Sequence, residues 1–550
     1  MSHQKSSGTP RVRPTVPAVG DNALGGEDTV PGEYAVGIDI GSTNTKVALV
    51  AGAPFAVLAL ASEPTPRHAD RLLAGVRRMV AEVVAAAPHP PRAVGVASMA
   101  ETGAPLGDAD RPLCPLVRWD ADRPGGGAGE LIDRYGAGTL FAATGVRPSP
   151  KVPLAVWAYL RRTEPALWSA LRRWAGVADL VVLSLTGRLV TDHTLAGRTM
   201  AYRLPPSGAP LSAGFDPDLL AAVGLRPEQL PEVATPGEPA GTVSAAAAAA
   251  TGLPAGTPVV VAGHDHAVGA AAAGVRAPGQ VADSVGTAEA VVRVLDTAPD
   301  RARVAAAGMS LVRTVAGDRE AVLAGFPGAG GFLRRWVVNH GGLRGDEVLQ
   351  AAARLPDGPT GVLVLPYPNG RQAPHPDPSA RVAVRGSGDD AVRTRAAAEG
   401  LALHARWMLA VAGAVPHPSG TAGATRRAAT SPDRRGAEVP DRFGAAFPDR
   451  GGAGAPLVEA VAGGTGAAEV TMLGAGSLPP LWPRLKAAVL PVPVRWARVD
   501  EPVAAGAALL AAARTGMVAD PVLPAEPLGA PDPRYDPVFV SFVRYALGET

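Results

Sequence analysis

From residue 34 onward the chain alternates short apolar runs with polar turns, whereas residues 1–33 show no hydrophobic period. The alternation over 35–50 predicts a β-hairpin, and strands are also predicted at 55–62 and 92–99. Between these strands apolar residues recur every three or four positions, which predicts a helix over 69–87. Because residues 1–33 are rich in helix and strand breakers, we expect them to form a disordered leader.

Strands and helices keep alternating toward the C-terminus, and one unit repeats the form of the first hairpin. Residues 280–294, QVADSVGTAEAVVRV, predict a strand, a Ser/Gly/Thr turn and a second strand. An early and a later turn of this kind are expected of a duplicated α/β fold that holds one phosphate chain between its halves. The composition of residues 413–456 predicts a low-complexity insertion, and residues 501–516 predict a helix of small residues.

Composition narrows the classes of function. A chain of 550 residues is expected to form two domains, and a net charge of +2 without basic clusters argues against nucleic acid as the main partner. The single cysteine, Cys114, permits no intramolecular disulfide and indicates a reducing compartment. Without a signal-peptide core or a long apolar stretch, we expect a cytoplasmic protein that does not bind membranes. Its oligomeric state is left open by the sequence, with a homodimer as the base-rate expectation.

Lys46 lies in a turn that is suited to phosphate. Only four of the 52 basic residues are lysines, so a lysine within GIDIGSTNTK suggests a specific use. Backbone N–H groups around Gly41, the hydroxyls of Ser42 and Thr43, and the Lys46 ammonium are potential phosphate donors. The alternative is a solvated lysine in a hairpin. The chain has no Gly-Lys dipeptide, which excludes a Walker A loop.

Asp39 ends the first predicted strand, where its carboxylate could hold Mg²⁺ through water. A second carboxylate, Asp265, follows a buried strand in the sequence GHDHAVG and precedes a helix of small residues. Three interpretations of Asp265 remain open. It could be a general base for a substrate hydroxyl, a helix-capping residue, or a metal ligand together with His264 and His266.

Polar residues also follow the strand predicted at 92–99. Glu101, in SMAETGAPL, could bind a polyol hydroxyl, and the nearby segment RWDADR, residues 118–123, combines one aromatic with four charged side chains. That mixture suits the wall of a polar pocket, although on its own it is also typical of a surface salt-bridge cluster.

Taken in order, these segments resemble the FGGY carbohydrate kinases of the sugar kinase, heat-shock chaperone and actin ATPase superfamily. The resemblance rests on GIDIGSTNTKVALV, SMAETGAPL, WDADR, LTGRLVTDHTLAGRTMAY, the approach to GHDHAVGA, DSVGTAEAVV, and MLGAGSLPPLWPRLKAAVLPVPV with EPVAAGAALLAA. It spans nearly the whole chain. No single motif is decisive, but their common order is specific.

The resemblance implies two ribonuclease H-like, actin-like ATPase domains around a cleft, with a sugar-binding domain at 34–266 and a nucleotide-binding domain at 267–549. It implies ATP-dependent phosphorylation of a sugar or polyol hydroxyl, with Mg²⁺ near Asp39 and Asp265 as general base. The implied nucleotide and phosphate contacts are Gly41, Ser42, Thr43, Lys46, Gly286, Thr287, Gly474 and Gly476. The implied substrate contacts are Glu101, Thr102, Trp119, Asp120 and His266.

The sequence departs from the family pattern at two places, and two alternative functions remain to be weighed against a kinase. The family's adenosine turn usually has three glycines, whereas this chain has Gly474, Ala475 and Gly476, and GHDH replaces the Asp-Gln or Asp-Asn of several members. The substrate is therefore not readable from the sequence. The rivals are a non-catalytic sugar or ATP sensor on the same fold, and a metal-dependent hydrolase that uses His264 and His266.

Overall fold

The computed structural model describes residues 33–52, 54–123, 126–286, 288–341, 345–414, 467, 469–474, 481–519 and 521–549. The predicted leader at 1–33 lies outside these residues except for Glu33, and the predicted insertion at 413–456 lies outside them except for 413 and 414. Among the helices of the described ranges, none is both long enough and apolar enough to cross a membrane.

The strands of the described residues are β1 (Tyr34–Ile40), β2 (Asn44–Ala51), β3 (Ala56–Pro64), β4 (Ala93–Ser98), β5 (Gly103–Leu106), β6 (Arg173–Gly176), β7 (Val190–Thr191), β8 (Glu232–Val233), β9 (Gly241–Thr242), β10 (Pro258–His264), β11 (Val281–Val285), β12 (Glu289–Val294), β13 (Ser310–Arg313), β14 (Glu320–Phe326), β15 (Leu363–Leu365), β16 (Ala383–Arg385), β17 (Val470–Gly474), β18 (Val494–Ala497) and β19 (Glu526–Gly529).

The α-helices of the same residues are α1 (Ala69–Ala85), α2 (Ala128–Tyr135), α3 (Ala137–Thr144), α4 (Pro153–Thr163), α5 (Pro165–Ala170), α6 (Val177–Thr186), α7 (His193–Ala196), α8 (Pro217–Ala222), α9 (Ala245–Thr251), α10 (Asp265–Ala272), α11 (Arg301–Ala306), α12 (Ala329–Gly341), α13 (Gly345–Arg354), α14 (Asp390–Ala414), α15 (Leu481–Val489), α16 (Pro502–Arg514) and α17 (Tyr535–Leu547).

Two large sheets carry the fold, and they share one topology. The first has the strand order β3-β2-β1-β4-β10-β9, and the second has the order β13-β14-β12-β11-β17-β18-β19. In each, an antiparallel hairpin (β1 with β2, β11 with β12) is followed by two further strands that run parallel to its first strand. The duplicated unit that the two similar turns predicted is therefore present.

The predicted elements of the first half agree with the structure within a few residues. The hairpin predicted at 35–50 is β1 with β2, and the apolar spacing predicted at 69–87 is α1, which buries Leu72, Val76, Met79 and Val83. The helix of small residues predicted at 501–516 is α16. The division into domains at residues 266 and 267 stays a prediction.

Helix α16 lies unusually close to the first sheet. A Cβ atom added to Gly37 would lie 1.8 Å from the carbonyl oxygen of Ala504, and one added to Gly95 would lie 1.9 Å from that of Ala507. Such distances are far inside van der Waals contact, so these positions of β1 and β4 require glycine. The alanines of α16 on the other side of the contact are buried, and they too are small enough to permit this approach.

Candidate active site

Three acidic residues lie along one edge of the first sheet. Because β1, β4 and β10 are parallel, their carboxyl ends meet at that edge. Asp39 is the penultimate residue of β1, Glu101 follows β4, and Asp265 follows β10 as the first residue of α10. The carboxylates of Asp39 and Asp265 are close enough for the negative charge of Asp265 to raise the pKa of Asp39.

Lys46 binds two of the acidic groups near this edge. Its Nζ lies 3.0 Å from Asp39 Oδ2, as the register of β1 and β2 dictates, and 3.3 Å from a carboxylate oxygen of Glu501. Burial works to lower the pKa of Lys46, but the two carboxylates outweigh it and the pKa is raised. Lys46 therefore remains charged, and the alternative of a merely solvated lysine is wrong.

Asp39 has the features of a residue that can face a divalent cation. Burial raises its pKa most strongly, Lys46 opposes that rise, and Asp265 adds to it. Its second oxygen, Oδ1, is buried and finds no hydrogen-bond partner within the described part of the chain. A hard cation that bonds through oxygen ligands would satisfy this atom, so the residues present fit Mg²⁺.

The turn between β1 and β2, residues 41–43, is closed by hydrogen bonds of its own. Gly41 N–H donates to the carbonyl of Asn44 over 3.0 Å, and Thr65 Oγ1 donates to the carbonyl of Gly41 over 2.7 Å. The N–H of Gly41 is therefore already used inside the turn. Ser42 and Thr43 form the tip, where Thr43 is exposed and the Ser42 carbonyl accepts from Arg118 over 3.0 Å.

Asp265 lies between two histidines at the first turn of α10. Its Oδ1 accepts the backbone N–H of His266 over 2.7 Å and lies 3.1 Å from His264 Nε2 and 3.9 Å from His266 Nε2. Burial holds the pKa of His264 well below its usual value, with His266 and Arg198 acting in the same direction. The His264 ring is therefore neutral, and its Nε2–H can donate a hydrogen bond to the carboxylate.

Contacts from α7 hold the backbone that carries Asp265. His264 N–H donates to Thr194 Oγ1 over 2.8 Å, and that hydroxyl donates to Asp192 Oδ1, also over 2.8 Å. The preceding Gly263 has φ of +128°, and a Cβ there would lie 2.5 Å from Thr194 Oγ1. The C-terminal end of β10 is thus held in place by Gly263 and by the buried side chains of Thr194 and Asp192.

The arrangement around Asp265 also meets the geometric needs of a metal site. One ligand atom from each of His264, Asp265 and His266 can be chosen so that all three lie within 4.8 Å of one another. Elsewhere in the described ranges, no other group of three potential ligands approaches so closely. The three interpretations of Asp265 thus stay compatible with the geometry, because this residue also begins a helix.

Glu101 is a buried acid bound by two cations that the sequence analysis did not select. Its oxygens lie 2.6 Å from Arg198 and 3.4 Å from Lys151. Burial favours the neutral acid, but Lys151 and Arg198 reverse this effect and lower the pKa of Glu101. Its φ of +64° is uncommon for a residue with a side chain, and such strained backbone is concentrated at functional sites.

The aromatic and acidic residues of RWDADR separate in the structure. The ring of Trp119 lies 5.7 Å from Lys151 Nζ, and Trp119 N–H donates to Thr102 Oγ1 over 3.2 Å, which brings both predicted residues beside Glu101. Asp120 is instead exposed and forms two 2.8 Å hydrogen bonds with Arg118. Among the predicted substrate contacts, Asp120 is an exposed acid whose charge is paired with the adjacent Arg118, whereas Glu101 is paired below the surface with Arg198 and Lys151.

Two of the predicted nucleotide contacts, Gly286 and Gly474, lie at the ends of neighbouring strands of the second sheet. Gly286 follows β11 and Gly474 ends β17, and these strands pair so that Val285 lies opposite Gly474. Gly474 has φ of +75°, and a Cβ there would lie 2.3 Å from the Val285 carbonyl, so the position requires glycine. The predicted contacts Thr287 and Gly476 lie outside the described residues.

The residues that sequence reasoning missed are Lys151, Arg198, Glu501 and the buried group of Asp283, Glu289 and Lys486. Rarity was a usable signal for Lys151 and Lys486, which are two of the four lysines. No sequence signal pointed to Glu501, because it contacts Lys46 across more than 450 positions of chain.

Both halves of the chain match models of the same protein family. The model of the FGGY family of carbohydrate kinases, N-terminal domain, matches residues 34–272, and the model of its C-terminal domain matches residues 281–515. The chain is 22% identical over 376 residues to a gluconokinase of Bacillus subtilis, an alignment that covers 63% of this chain and 70% of that protein. It is 29% identical over 174 residues to an L-fuculokinase of Escherichia coli, covering 32% and 36%.

Solved structures resemble the chain over almost its full length. A xylulose kinase from Rhodospirillum rubrum superposes with a TM-score of 0.74 and 24% identity, covering 94% of this chain and 98% of that one. A gluconate kinase from Lactobacillus acidophilus gives a TM-score of 0.74 and 19% identity over the same shares. At these identities the likeness shows the fold, and it confirms the predicted architecture of two actin-like ATPase domains.

Proposed function

The chain belongs to the FGGY family of carbohydrate kinases, and from this premise we propose that Asp265 is the general base of its phosphoryl transfer. As a member of that family it is an ATP-dependent phosphotransferase that acts on a small-molecule carbohydrate. Asp265 would accept the proton of a sugar or polyol hydroxyl while the hydroxyl oxygen attacks the γ-phosphorus of ATP in line.

One observation carries the proposal: Asp265 and the Asp39–Lys46 pair lie at the same sheet edge, where the parallel strands end, and the charge of Asp265 acts on Asp39. An acceptor hydroxyl at Asp265 and a phosphate at Lys46 would then be neighbours. Phosphoryl transfer depends mainly on such positioning and on neutralisation of charge. Nε2 of neutral His264 would hold the Asp265 carboxylate in orientation.

Nucleotide binding is assigned to both sheets. Lys46 has three N–H donors, and two of them face Asp39 and Glu501, which leaves one for a phosphate oxygen. Ser42 and Thr43 in the same turn, and Gly286 with Thr287 in the second, are proposed to bind the β- and γ-phosphates. Gly474 and Gly476 are proposed to contact the adenosine half.

A magnesium ion is part of the proposal, and Asp39 would hold it through Oδ1, directly or through water. When bound, this ion supplies positive charge that offsets the charge of the transferring phosphoryl group. The protein contributes the fixed carboxylate and keeps Lys46 charged beside it.

The carbohydrate is proposed to bind between Asp265 and Glu101. His266, Thr102 and Trp119 would contact it as the sequence predicted, and Asp120 would contribute at the rim. Lys151 and Arg198 join this set, because they neutralise Glu101 and can donate to hydroxyls. We also propose a reducing compartment such as the cytoplasm, because the chain has a single cysteine. A homodimer is proposed from base rates alone.

Replacement of the base tests the assignment. Asp265→Asn keeps the shape of the side chain but removes proton acceptance, so we expect turnover to fall by about 10²- to 10⁴-fold while ATP binding is retained. A coupled assay of ADP release with pentoses, hexoses, ketoses and alditols measures turnover and identifies the substrate. Asp70→Asn, an exposed residue of α1, is the matched control and should behave like wild type.

Two results would contradict the proposal. Wild-type turnover in Asp265→Asn would remove the base from the mechanism. Stoichiometric zinc in the purified protein, lost in His264→Ala and His266→Ala, would favour the metal-dependent hydrolase. The non-catalytic sensor finds no support among the relatives compared, which are kinases.

A further inference from the structure

Three ionisable side chains, Asp283, Glu289 and Lys486, form a buried cluster between the second sheet and α15. Lys486 Nζ lies 2.5 Å from Asp283 Oδ2 and also contacts a carboxylate oxygen of Glu289. Lys486 is 0% exposed, Asp283 0% and Glu289 1%. No other lysine of the described chain is buried to this degree, and neither the base nor the substrate contacts use it.

The charges of this cluster do not balance while both acids are ionised. One ammonium faces two carboxylates, which leaves one negative charge without a counter-ion in a fully buried position. An uncompensated buried charge is costly, and one proton on the carboxylate pair removes it. Asp283 Oδ1 and Glu289 Oε2 are both buried with no hydrogen-bond partner in the described residues, so a proton on one of these oxygens would also give them a donor.

The electrostatics place that proton on Glu289. Burial raises the pKa of Glu289 to about 8, Lys486 opposes the rise, and Asp283 reinforces it. Burial works to lower the pKa of Lys486, but both acids outweigh it and the pKa is raised. From α14, His404 faces Lys486, and its pKa of about 3 keeps it neutral above pH 7.

The cluster joins the elements that present the proposed nucleotide contacts. Asp283 lies in β11, two residues before the strand ends next to Gly286. Glu289 is the first residue of β12 after the turn, and Lys486 lies in α15, which follows β17 and its terminal Gly474. One ammonium thus connects both strands of the hairpin to the helix that succeeds the adenosine turn.

We infer that Asp283, Glu289 and Lys486 are positioning residues for the nucleotide. They keep the end of β11, next to Gly286, in the conformation that binds nucleotide only while the two carboxylates share one proton. This inference rests on the proposed function of Gly286 and Gly474. Ionisation of Glu289 puts an unbalanced negative charge at the end of the turn that must approach phosphate. Nucleotide affinity therefore weakens as the proton is lost.

Direct binding of Mg²⁺-ADP to the full chain, measured by calorimetry at pH 7.5, 8.5 and 9.5, tests the inference. Phosphate groups, with a pKa near 6, are fully ionised over this range. We expect the wild-type Kd to rise by about tenfold or more from pH 7.5 to 9.5. Glu289→Gln mimics the protonated acid, so its Kd should match wild type at pH 7.5 and change by less than about twofold.

Matched variants separate positioning from general stability. Glu399→Gln changes an acid that is equally buried and has a raised pKa, but that lies in α14 and is bound by Thr360, Arg395 and Tyr535. It should keep the wild-type pH profile. Asp283→Asn leaves Lys486 and Glu289 as a neutral pair and should flatten the profile as Glu289→Gln does, which provides a second variant if the first does not fold.

The outcomes distinguish this inference from the function it rests on. A Kd that stays constant with pH in an active wild-type kinase, or a profile that Glu289→Gln and Asp283→Asn leave unchanged, would overturn the inference alone. In steady-state assays the inference also requires the pH effect in the KM for ATP rather than in kcat. A wild-type chain that neither binds Mg²⁺-ADP nor phosphorylates any carbohydrate would instead overturn the proposed function.

Discussion

At the scale of single residues, the position of the proposed base Asp265 is linked to a hydroxyl outside the proposed set of substrate contacts, that of Thr194. Thr194 Oγ1 accepts the backbone N–H of His264, the residue before Asp265, and itself donates to Asp192. The hydroxyl is thus a side-chain acceptor for this buried N–H, next to the strand pairing of β10 with β4. Its position therefore helps to set where the Asp265 carboxylate lies.

Thr194→Val removes this acceptor while keeping the size of the side chain. We expect a loss of about 1–3 kcal/mol in the free energy of unfolding, because a buried N–H is left without a partner. We also expect kcat to fall by up to about 10²-fold as the carboxylate moves. Denaturant unfolding and ADP release measure the two effects. Thr194→Ser restores the hydroxyl and should recover most of the kcat, and a valine variant with full kcat would contradict the role.

The sequence identified those site residues whose local surroundings are informative. Lys46 and Asp265 were selected because each lies in a polar turn after an apolar strand, and the structure brings both to one sheet edge. Arg198 and Glu501 gave no such signal. Their partners lie 97 and 455 positions away, and periodicity carries no information about contacts of that range.

At the scale of elements, α16 couples the packing of the first sheet to the chemistry at its edge. Its first turn follows Glu501, whose φ of +47° is left-handed and whose carboxylate binds Lys46. Ala504 and Ala507 of the helix contact Gly37 and Gly95 so closely that neither glycine could carry a methyl group. A displacement of the helix therefore moves a partner of Lys46, the lysine proposed to bind phosphate.

Gly37→Ala and Gly95→Ala test this coupling. Each added methyl group overlaps a carbonyl oxygen of α16, so we expect each to cost about 1–3 kcal/mol or more in the free energy of unfolding and to raise the KM for ATP. Gly129→Ala in α2 is the control, because no atom lies within 4 Å of its added Cβ. This control should stabilise the chain by about 0.5–1 kcal/mol. An unchanged KM in both strand variants would show that helix and site are independent.

The hairpins and α1 could be predicted from the sequence because their burial patterns are local and periodic. The close approach of α16 could not. The run of alanines in that segment predicted a helix of small residues, but nothing in the sequence indicated that its partner surface would be the first sheet, more than 400 positions earlier.

At the scale of the whole molecule, two sheets of one topology present their proposed phosphate contacts from separate halves of the chain. Lys46 lies in the first half, and Gly286 and Gly474 lie in the second. The order of motifs predicted this duplication, and the resemblance to a family with two domains supplied the architecture. The sequence could not predict which cations would bind Glu101, because that depends on how loops of the first half fold together.

A site assembled from two halves should transfer phosphate poorly to water. Water offers the proposed substrate contacts fewer groups to hold than a carbohydrate does, so it would be poorly aligned with the γ-phosphorus. This should hold although solvent reaches the partly exposed side chains of Lys46 and Glu501. We expect ATP hydrolysis to be about 10²-fold slower than transfer to the true substrate. ADP release with and without carbohydrate measures the ratio. Equal rates would mean that the acceptor has no part in assembling the site.

The contact between α16 and the two strand glycines also limits how this chain can be engineered. Filling a core with larger side chains is a common route to a more heat-resistant enzyme, but here added volume would push Glu501 away from the ammonium that it helps to hold. Gains in heat resistance are therefore better sought on exposed helix positions such as Gly129. The residues between the first sheet and α16 have to remain small, because the two elements are in direct backbone contact.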